Sequence, residues 1–227
     1  MLEAFLSLIY PHTCAGCNKT LHPHEDCVCL QCKVQLPRTY FERQTGNFIE
    51  KLFWGKMEIE RASAHYFFHK DSTIQRLMHH LKYDNKPQIG IVLGKMVGAD
   101  WLKKGYFSDV DLIVPIPLHE KKLRKRGYNQ AAEIAKGMAE MLDLEMSTHH
   151  LIRTVYTDTQ TRKSTFDRWQ NVNAIFQINQ PHTLKNKHVL IVDDVVTTGS
   201  TLQAAAFELK ALKDVKVSVA TVAVAWT

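Results

Sequence analysis

Short apolar runs along the chain predict strands that alternate with helices. VLIV at 189–192 is an unbroken apolar run rich in β-branched residues, typical of a strand that is covered on both faces of a sheet. DLIVPIP at 111–117 has the same character, and ASAHYFFH at 62–69 and VKVSVATVAVAW at 215–226 predict two further strands. LIRTV at 151–155 predicts a short one. Since helical patterns separate these runs, we expect an α/β fold with a parallel sheet flanked by helices.

The helices are predicted from apolar residues that recur at helical spacing. In STIQRLMHHLKY at 72–83 they fall on a single face, and PQIGIVLGKMVGADWLKKG at 87–105 predicts a helix with Pro87 near its start and Gly105 at its end. NQAAEIAKGMAEML at 129–142 predicts a third helix, which Asn129 or Gln130 would cap. A fourth follows Thr201. The apolar positions of the first and fourth helices are Ile74, Leu77, Met78, Leu81, Leu202, Ala206, Leu209 and Leu212.

Two acids and a small-residue loop follow the VLIV strand directly. Asp193 and Asp194 come first, and the loop then supplies hydroxyls and closely spaced backbone N–H groups where the next helix begins. Such a loop between strand and helix is an anion site. The carboxylates would repel a phosphate, so we expect them to bind sugar hydroxyls or a divalent metal. A 5-phosphoribosyl group offers both chemistries, and the residues predicted to bind its phosphate are Thr197, Thr198, Gly199, Ser200 and Thr201.

A basic loop is predicted after the DLIVPIP strand, from Leu118 to Gln130. It has five cations within six residues, and Gly127 would allow its backbone to approach a ligand closely. We expect the loop to lie beside the phosphate loop, because the carboxyl ends of parallel strands share one edge of a sheet. It would contact either a diphosphate or nucleic acid, with Lys121, Arg124 and Arg126 as the principal contacts.

A polar stretch from Tyr156 to Asn173 is the third candidate cluster. It shows no clear periodicity, and a segment of this length without secondary structure is typically functional. We expect either a lid that closes over a bound diphosphate, with Arg162 and Lys163 as contacts, or a surface hairpin.

All five cysteines lie near the N-terminus. Two CxxC pairs, separated by eleven residues, would hold a structural zinc ion through Cys14, Cys17, Cys29 and Cys32. Cys27 is left over, and a register in which it replaces Cys29 stays open, with His12, His22 and His24 as further possible ligands. We predict a zinc-ribbon module at 1–40, a connector at 41–60 and the α/β domain at 61–227.

Composition limits the classes that remain. The chain has 227 residues, of which 45% are hydrophobic, and its formal net charge is +6. It contains no apolar run near the roughly 20 residues of a membrane span. The segment MLEAFLSLIYP has an acid at Glu3 and no basic start or cleavage site, unlike a signal peptide. We therefore expect a cytoplasmic protein, whose positive charge favours polyanionic partners.

The sequence VLIVDDVVTTGST resembles the signature with which type I phosphoribosyltransferases bind phosphoribosyl pyrophosphate (PRPP). Further segments, in the same order, resemble the ComF family (ComFC, also GntX-like) of bacterial phosphoribosyltransferase-like proteins: the CxxC pairs, LKY at 81–83, PIPL at 115–118, RGYNQA at 126–131, TQT at 159–161 and RWQNV at 168–172. RGYNQA beside the PRPP signature is specific to that family. The extra Cys27 departs from its pattern and leaves the zinc ligands open.

The resemblance implies a protein that assists natural transformation by handling incoming single-stranded DNA with a helicase-like partner. It also implies PRPP binding with Mg²⁺, in which Asp193 and Asp194 would be the catalytic carboxylates. Glutaminase activity is not expected, because Met1 is followed by Leu2 and the first cysteine is Cys14. Two functions remain: a phosphoribosyltransferase of unspecified acceptor, and a non-catalytic single-stranded-DNA-binding factor that reuses the phosphate pocket.

Overall fold

The computed structural model describes residues 12–155 and 175–225. Its centre is a five-stranded sheet in the order β1-β7-β6-β2-β3, and all four pairings are parallel. The five strands are β1 (Ala62–Phe68), β2 (Leu112–Pro115), β3 (Glu145–Met146), β6 (His188–Val196) and β7 (Lys216–Ala225). A separate antiparallel pair consists of β4 (Leu151–Arg153) and β5 (Phe176–Ile178). The parallel sheet predicted from the sequence is confirmed.

Seven α-helices lie within the described residues. They are α1 (Leu30–Val34), α2 (Phe48–Lys51), α3 (Thr73–Tyr83), α4 (Gln88–Leu102), α5 (Glu120–Arg126), α6 (Gln130–Leu142) and α7 (Ser200–Lys210). Two short 3₁₀ helices, Phe41–Arg43 and Pro181–Leu184, complete the described elements. None of the described helices is long and apolar enough to cross a membrane.

The sheet is covered on both faces, which explains why β6 begins as an uninterrupted apolar run. Leu190 and Val192 pack in a core with α3, α4, α6 and the cysteine segment. Val189 and Ile191 belong to the opposite core, with α7 and apolar residues of the 41–53 segment. Burial on both faces removes apolar surface from water at about 25 cal/mol per Å², so this strand tolerates little polarity before its carboxyl end.

Helices α4 and α6 pack with their backbones nearly in contact. A Cβ added to Gly94 would lie 2.1 Å from Ile134 O, and one added to Gly137 would lie 2.2 Å from Ile91 O. Glycine is therefore required at both crossing points.

Most predicted elements are confirmed, including the burial of Ile74, Leu77, Met78 and Leu81 on one face of α3. The α4 helix ends at Leu102, before Gly105, and α7 ends before Leu212. The basic loop predicted from Leu118 to Gln130 is wrong in its secondary structure, because Glu120–Arg126 is a helix. The predicted lid or hairpin, with Arg162 and Lys163, lies outside the described residues. The domain limits stay a prediction.

Candidate functional site

Two carboxylates lie side by side near the carboxyl end of β6. Asp193 is still paired in register with Thr221 of β7, and both acids are half-buried. The backbone N–H of Asp194 donates to Asp193 Oδ1 at 2.8 Å, and that of Val195 donates to Asp194 Oδ1 at 2.5 Å. These hydrogen bonds hold one oxygen of each carboxylate against the strand.

The loop that follows presents hydroxyls at the N-terminus of α7. Thr197, Thr198 and Ser200 are exposed, and Thr198 Oγ1 lies 3.2 Å from Ser200 Oγ. Gly199 occupies the N-cap position with a φ of +75°, in the left-handed region that favours glycine. It brings no side-chain acceptor to the first turn of α7. The positive end of the helix dipole and its N–H groups therefore suit an anion held at this loop.

The segment from 48 to 52 packs against the loop at 197–201, the predicted phosphate loop. A Cβ on Gly199 would lie 3.0 Å from Leu52 Cδ1, so the loop and α2 are in close contact. Gln203 Nε2, one turn into α7, donates to Leu52 O at 2.7 Å. The connector thus fixes the position of the loop and of the helix start together.

Lys82 neutralises one of the two acids. Its Nζ lies 2.7 Å from Asp194 Oδ2, and the two side chains are 25% and 13% exposed. Lys82 belongs to the last turn of α3, so this ion pair joins that helix to the end of β6. Partial burial makes such a pair stronger than an exposed surface pair.

The carboxylate of Asp193 has an unusual proton affinity. Burial, and next the adjacent Asp194 carboxylate, raise the pKa of Asp193 to about 7. The hydrogen bond from the Asp194 N–H and the charges of Lys82 and Arg153 oppose this rise. Arg153, on β4, is therefore a second cation at the site. A cation placed beside such a carboxylate favours its ionised form.

The basic segment after β2 is a short helix at the same edge of the sheet. His119 caps α5, because its Nδ1 accepts from the Lys121 N–H at 3.2 Å, and Gly127 ends it with a φ of +82°. Lys121 and Arg124 are exposed, and Arg124 Nη2 lies 3.4 Å from Glu120 Oε2. Since β2 pairs in parallel with β6, the predicted proximity of the two strand ends is confirmed.

Arg126 differs from the other cations of α5. It is half-buried, and its Nη1 donates to Gln130 Oε1 at 2.8 Å. Its guanidinium also lies 5.8 Å from the ring centroid of Tyr83. These contacts fix Arg126 between α3 and α6, whereas the side chains of Lys121 and Arg124 are exposed to solvent.

The LKY and RGYNQA segments form one structural unit. The Tyr128 hydroxyl donates to Leu81 O, and Arg126 stacks on Tyr83. Asn129 donates to Ile116 O at 2.9 Å and accepts from the Ala131 N–H at 3.1 Å. Asn129, and not Gln130, thus caps α6 through its side chain while holding the end of β2.

Cys14, Cys17, Cys29 and Cys32 come together in one cluster, with their Sγ atoms all within 4.8 Å of one another. Cys17 Sγ and Cys29 Sγ are 3.7 Å apart, close to the separation of about 3.8 Å expected for thiolates around a tetrahedral ion. Backbone N–H groups of Gly16 and Cys29 donate to Cys14 Sγ at 3.3 and 3.2 Å. In the described residues, neither Cys27 nor His12, His22 or His24 joins this cluster. The donor set fits a closed structural metal site.

Three residues at the candidate site were not predicted from the sequence. Lys82 and Arg153 provide its nearby cations, and Leu52 supports its loop. LKY carried a signal, as one of the segments of the ComF resemblance, but it indicated no role for the lysine. Arg153 and Leu52 lie in segments without any motif of their own.

Comparisons with known proteins agree with this fold. The family model described as a phosphoribosyl transferase domain matches residues 123–227. The chain is 29% identical to competence protein F of Haemophilus influenzae over 194 residues, which cover 83% of this chain and 80% of that protein. It is 26% identical to the DNA utilization protein YhgH of Escherichia coli K12 over 193 residues, with the same coverage. The resemblance to the ComF family predicted from the sequence is confirmed.

Among solved structures, the chain is similar to the allosteric regulatory enzyme of purine biosynthesis, with a TM-score of 0.42 and 17% identity. That similarity covers 72% of this chain, which spans about a third of the other protein, 31% of its length.

Proposed function

We propose that this chain, a relative of competence protein F with a phosphoribosyl transferase domain in residues 123–227, binds PRPP or a related ribose phosphate with Mg²⁺. It would act in DNA uptake as a phosphoribosyltransferase whose acceptor is unspecified. One observation carries the proposal. Two half-buried carboxylates near the end of β6 are followed, after Val195 and Val196, by an exposed hydroxyl loop at a helix N-terminus.

The loop would hold the 5-phosphate. The phosphate oxygens would accept hydrogen bonds from backbone N–H groups of the first turn of α7. They would also accept from the hydroxyls of Thr197, Thr198, Ser200 and Thr201. The close backbone approach depends on Gly199, which keeps the N-cap free of a side chain. Leu52 and Gln203 would keep the loop in place when the ligand leaves.

The carboxylates would hold the ribose. Asp193 and Asp194 would accept from its hydroxyls, and their hard oxygen atoms suit Mg²⁺, which such sites share with a diphosphate. A bound Mg²⁺ would neutralise part of the diphosphate charge. The raised pKa of Asp193 fits this role, because an adjacent cation would favour its ionised form at neutral pH.

Lys82 would exchange partners when the ligand binds. A ribose hydroxyl or a cation that engages Asp194 would compete with the ammonium now 2.7 Å from Oδ2. The lysine side chain is long and flexible, so its displaced ammonium would reach for the nearest anion. In PRPP that anion is the diphosphate, whereas ribose 5-phosphate has none at C1.

Transfer would then depend mainly on electrostatics. The bond from C1 to the diphosphate oxygen breaks with its electron pair going to the diphosphate, and a lone pair of the acceptor forms the new bond to C1. Asp193 and Asp194 would stabilise positive charge on the sugar, while Lys82 and the cations of α5 would stabilise the leaving group. No described feature specifies the acceptor.

The four-cysteine cluster would hold a structural zinc ion. Thiolate ligands favour zinc, and four of them leave no position for a substrate. The metal would therefore stabilise the N-terminal segment, which packs against α3 through the hydrogen bond from Arg76 Nε to Gly16 O at 2.7 Å.

Calorimetric titration with PRPP and Mg²⁺ tests the proposed function. Wild-type protein should bind PRPP at one site, and Asp193→Asn combined with Asp194→Asn should weaken binding by more than about tenfold, or 1.4 kcal/mol. Glu58→Gln combined with Glu60→Gln is the matched control, because these two exposed acids precede the amino end of β1, at the opposite edge of the sheet from the carboxyl end of β6. The absence of heat with wild-type protein would refute PRPP binding, and unchanged affinity in the variant with both aspartates replaced (the β6 variant) would refute the two carboxylates as its site.

Exposed cations on α5 favour the second candidate, a non-catalytic factor for single-stranded DNA. Lys121, Arg124 and Lys125 are all exposed, and the net charge of +6 attracts polyanions. Binding of a labelled oligonucleotide should then weaken with salt, and it should weaken again when Lys121 and Arg124 become Ala. If the β6 variant leaves DNA binding intact and PRPP does not bind at all, this second function is supported instead. The helicase-like partner stays a proposal from the family resemblance.

A further inference from the structure

Three metal-ligating side chains converge at the C-terminal end of α3, away from the cysteines. His80 Nδ1 lies 2.5 Å from Asp84 Oδ2, and His79 Nδ1 lies 3.9 Å from the same oxygen. All three ligand atoms are within 4.8 Å of one another. We propose that His79, His80 and Asp84 bind a divalent transition-metal ion.

The local fold places the ligands in advance. Asp84 is the C-cap of α3, and its backbone N–H donates to His80 O at 3.1 Å. Its carboxylate is therefore directed back toward the last turn of the helix. The His79 ring packs 4.9 Å from Tyr83 and 6.2 Å from the ring of His80. These contacts hold the three side chains near one another before an ion binds.

The distances suit a first-row metal. Ligand atoms about 2.1 Å from a tetrahedral ion are about 3.4 Å apart, and the two measured separations, 2.5 and 3.9 Å, lie on either side of that value. Small rotations of the imidazole rings would equalise them.

The donor set also selects the class of ion. Neutral imidazole nitrogens favour Zn²⁺, Ni²⁺, Co²⁺ or Cu²⁺, whereas Mg²⁺ and Ca²⁺ favour oxygen ligands. Two histidines and one carboxylate leave coordination positions open. An ion can enter from solvent, because the side chains of His79 and Asp84 are 62% and 40% exposed.

The site is distinct from the cysteine cluster. The cysteine segment contacts the N-terminal half of α3, where Arg76 donates to Gly16 O and Thr73 lies against Gly16. His80 is seven residues further along than Thr73, a rise of about 10 Å. Lys82, which pairs with Asp194, belongs to the same last turn as the histidines. A bound metal would therefore lie near the proposed phosphate site. None of its three ligands is a residue predicted to belong to that site.

Nickel titration of untagged full-length protein tests the proposal. The cysteine cluster is first filled with one equivalent of Zn²⁺, which four thiolates favour, and Ni²⁺ is then added in a calorimeter. We expect one equivalent of Ni²⁺ to bind. His79→Gln and Asp84→Asn should each weaken Ni²⁺ binding at least tenfold. His79 is the safer position, since its exposed side chain contributes little to folding.

A second histidine pair provides the matched control. His149 is exposed and its ring lies 4.5 Å from that of His150, but in the described residues this pair belongs to no three-ligand group. His149→Gln should leave Ni²⁺ binding unchanged. The proposal is overturned if no Ni²⁺ binds to protein that holds one equivalent of Zn²⁺, or if His79→Gln and His149→Gln have equal effects. PRPP titrations of the same variants keep this result separate from the proposed function.

Discussion

Lys82 Nζ lies 2.7 Å from Asp194 Oδ2, which connects the end of α3 to the carboxyl end of β6. The contact joins one segment of the ComF resemblance, LKY, to another, the PRPP signature. Substitution of this lysine can therefore show which part of a ligand the site binds.

Lys82→Gln should separate the two ends of the ligand. We expect PRPP affinity to fall roughly tenfold, because a charge-assisted contact to the diphosphate is lost. Ribose 5-phosphate affinity should change by less than about twofold, because that ligand has no diphosphate at C1. Calorimetry with both ligands measures the difference.

Lys95→Gln is the control for this experiment. Lys95 Nζ pairs with Glu140 Oε1 at 2.6 Å, between α4 and α6. The substitution therefore removes an ion pair that lies away from the site. Equal losses for PRPP and ribose 5-phosphate with Lys82→Gln would show that the lysine does not contact the diphosphate.

Asp193→Asn should stabilise the fold at neutral pH. The folded-state pKa of Asp193 is raised to about 7 from its ordinary value of 3.8. The native state therefore binds more protons than the unfolded state between about pH 4 and 7, and the stability that this group contributes at low pH is lost as pH rises through that window. Asparagine removes the titration, so the stability of the variant should match that of wild type near pH 4 and exceed it by about 4 kcal/mol near pH 8.

Urea denaturation at several pH values measures this difference. Glu58→Gln, at an exposed position, should show no comparable pH-dependent gain. A wild-type protein that is equally or more stable than Asp193→Asn at pH 8 would contradict the assigned burial of this carboxylate. Stabilisation together with lost ligand binding would mean that the acid is kept for function at a cost in stability.

Gly199→Ala should damage the phosphate loop more than its backbone conformation alone predicts. A left-handed conformation costs an alanine about 1 kcal/mol, and the new Cβ would also lie 3.0 Å from Leu52 Cδ1. We therefore expect Gly199→Ala to lower the free energy of unfolding by more than about 1 kcal/mol. Its affinity for ribose 5-phosphate should be at least tenfold weaker.

Gly55→Ala supplies the matched comparison, since Gly55 has a φ of +71° and nothing within 4 Å of an added Cβ. Gly55→Ala should lower the free energy of unfolding only by the cost of the left-handed conformation, about 1 kcal/mol, and should leave ligand binding intact. Thermal denaturation and calorimetry distinguish the two variants. Similar behaviour of both would argue against close contact between the loop and α2.

The cysteine cluster predicts a specific pattern of metal content. Protein purified without chelator should contain about one equivalent of zinc, and Cys27→Ser should retain it, because Cys27 is outside the cluster. Cys14→Ser combined with Cys29→Ser should contain less than half an equivalent and should lose thermal stability, since metal binding contributes to folding. Elemental analysis checks both variants. Loss of zinc from Cys27→Ser would instead support the alternative ligand register.

The elements with strong periodicity were predictable from the sequence. The buried residues of α3 recur at helical spacing, and the apolar run of β6 is continuous because both of its faces are buried. Both patterns can be read from the sequence alone. Helix α5 was not predictable, because EKKLRKR has a single apolar residue and none of its residues is buried. Its ends depend on His119 and Gly127, whose capping roles become clear only once β2 fixes the start of the segment.

The candidate site was predictable only where its chemistry is contiguous in sequence. Asp193 through Thr201 form one uninterrupted segment, so the strand, carboxylates and loop could be inferred together. Lys82, Arg153 and Leu52 reach the site from distant positions through packing of α3, β4 and α2. A single sequence does not encode such tertiary proximity in any local pattern. The difference between Arg126 and its exposed neighbours likewise depends on Tyr83 and Gln130.

A crystal structure of the chain with bound ribose 5-phosphate would test the proposed phosphate site. We expect the phosphate to accept hydrogen bonds from the backbone at the start of α7 and from the hydroxyls of Thr198 and Ser200, with the ribose hydroxyls at Asp193 and Asp194. Electron density for the ligand at any other place, with the loop from Thr197 to Gly199 making no contact to it, would contradict ribose phosphate binding at the end of β6.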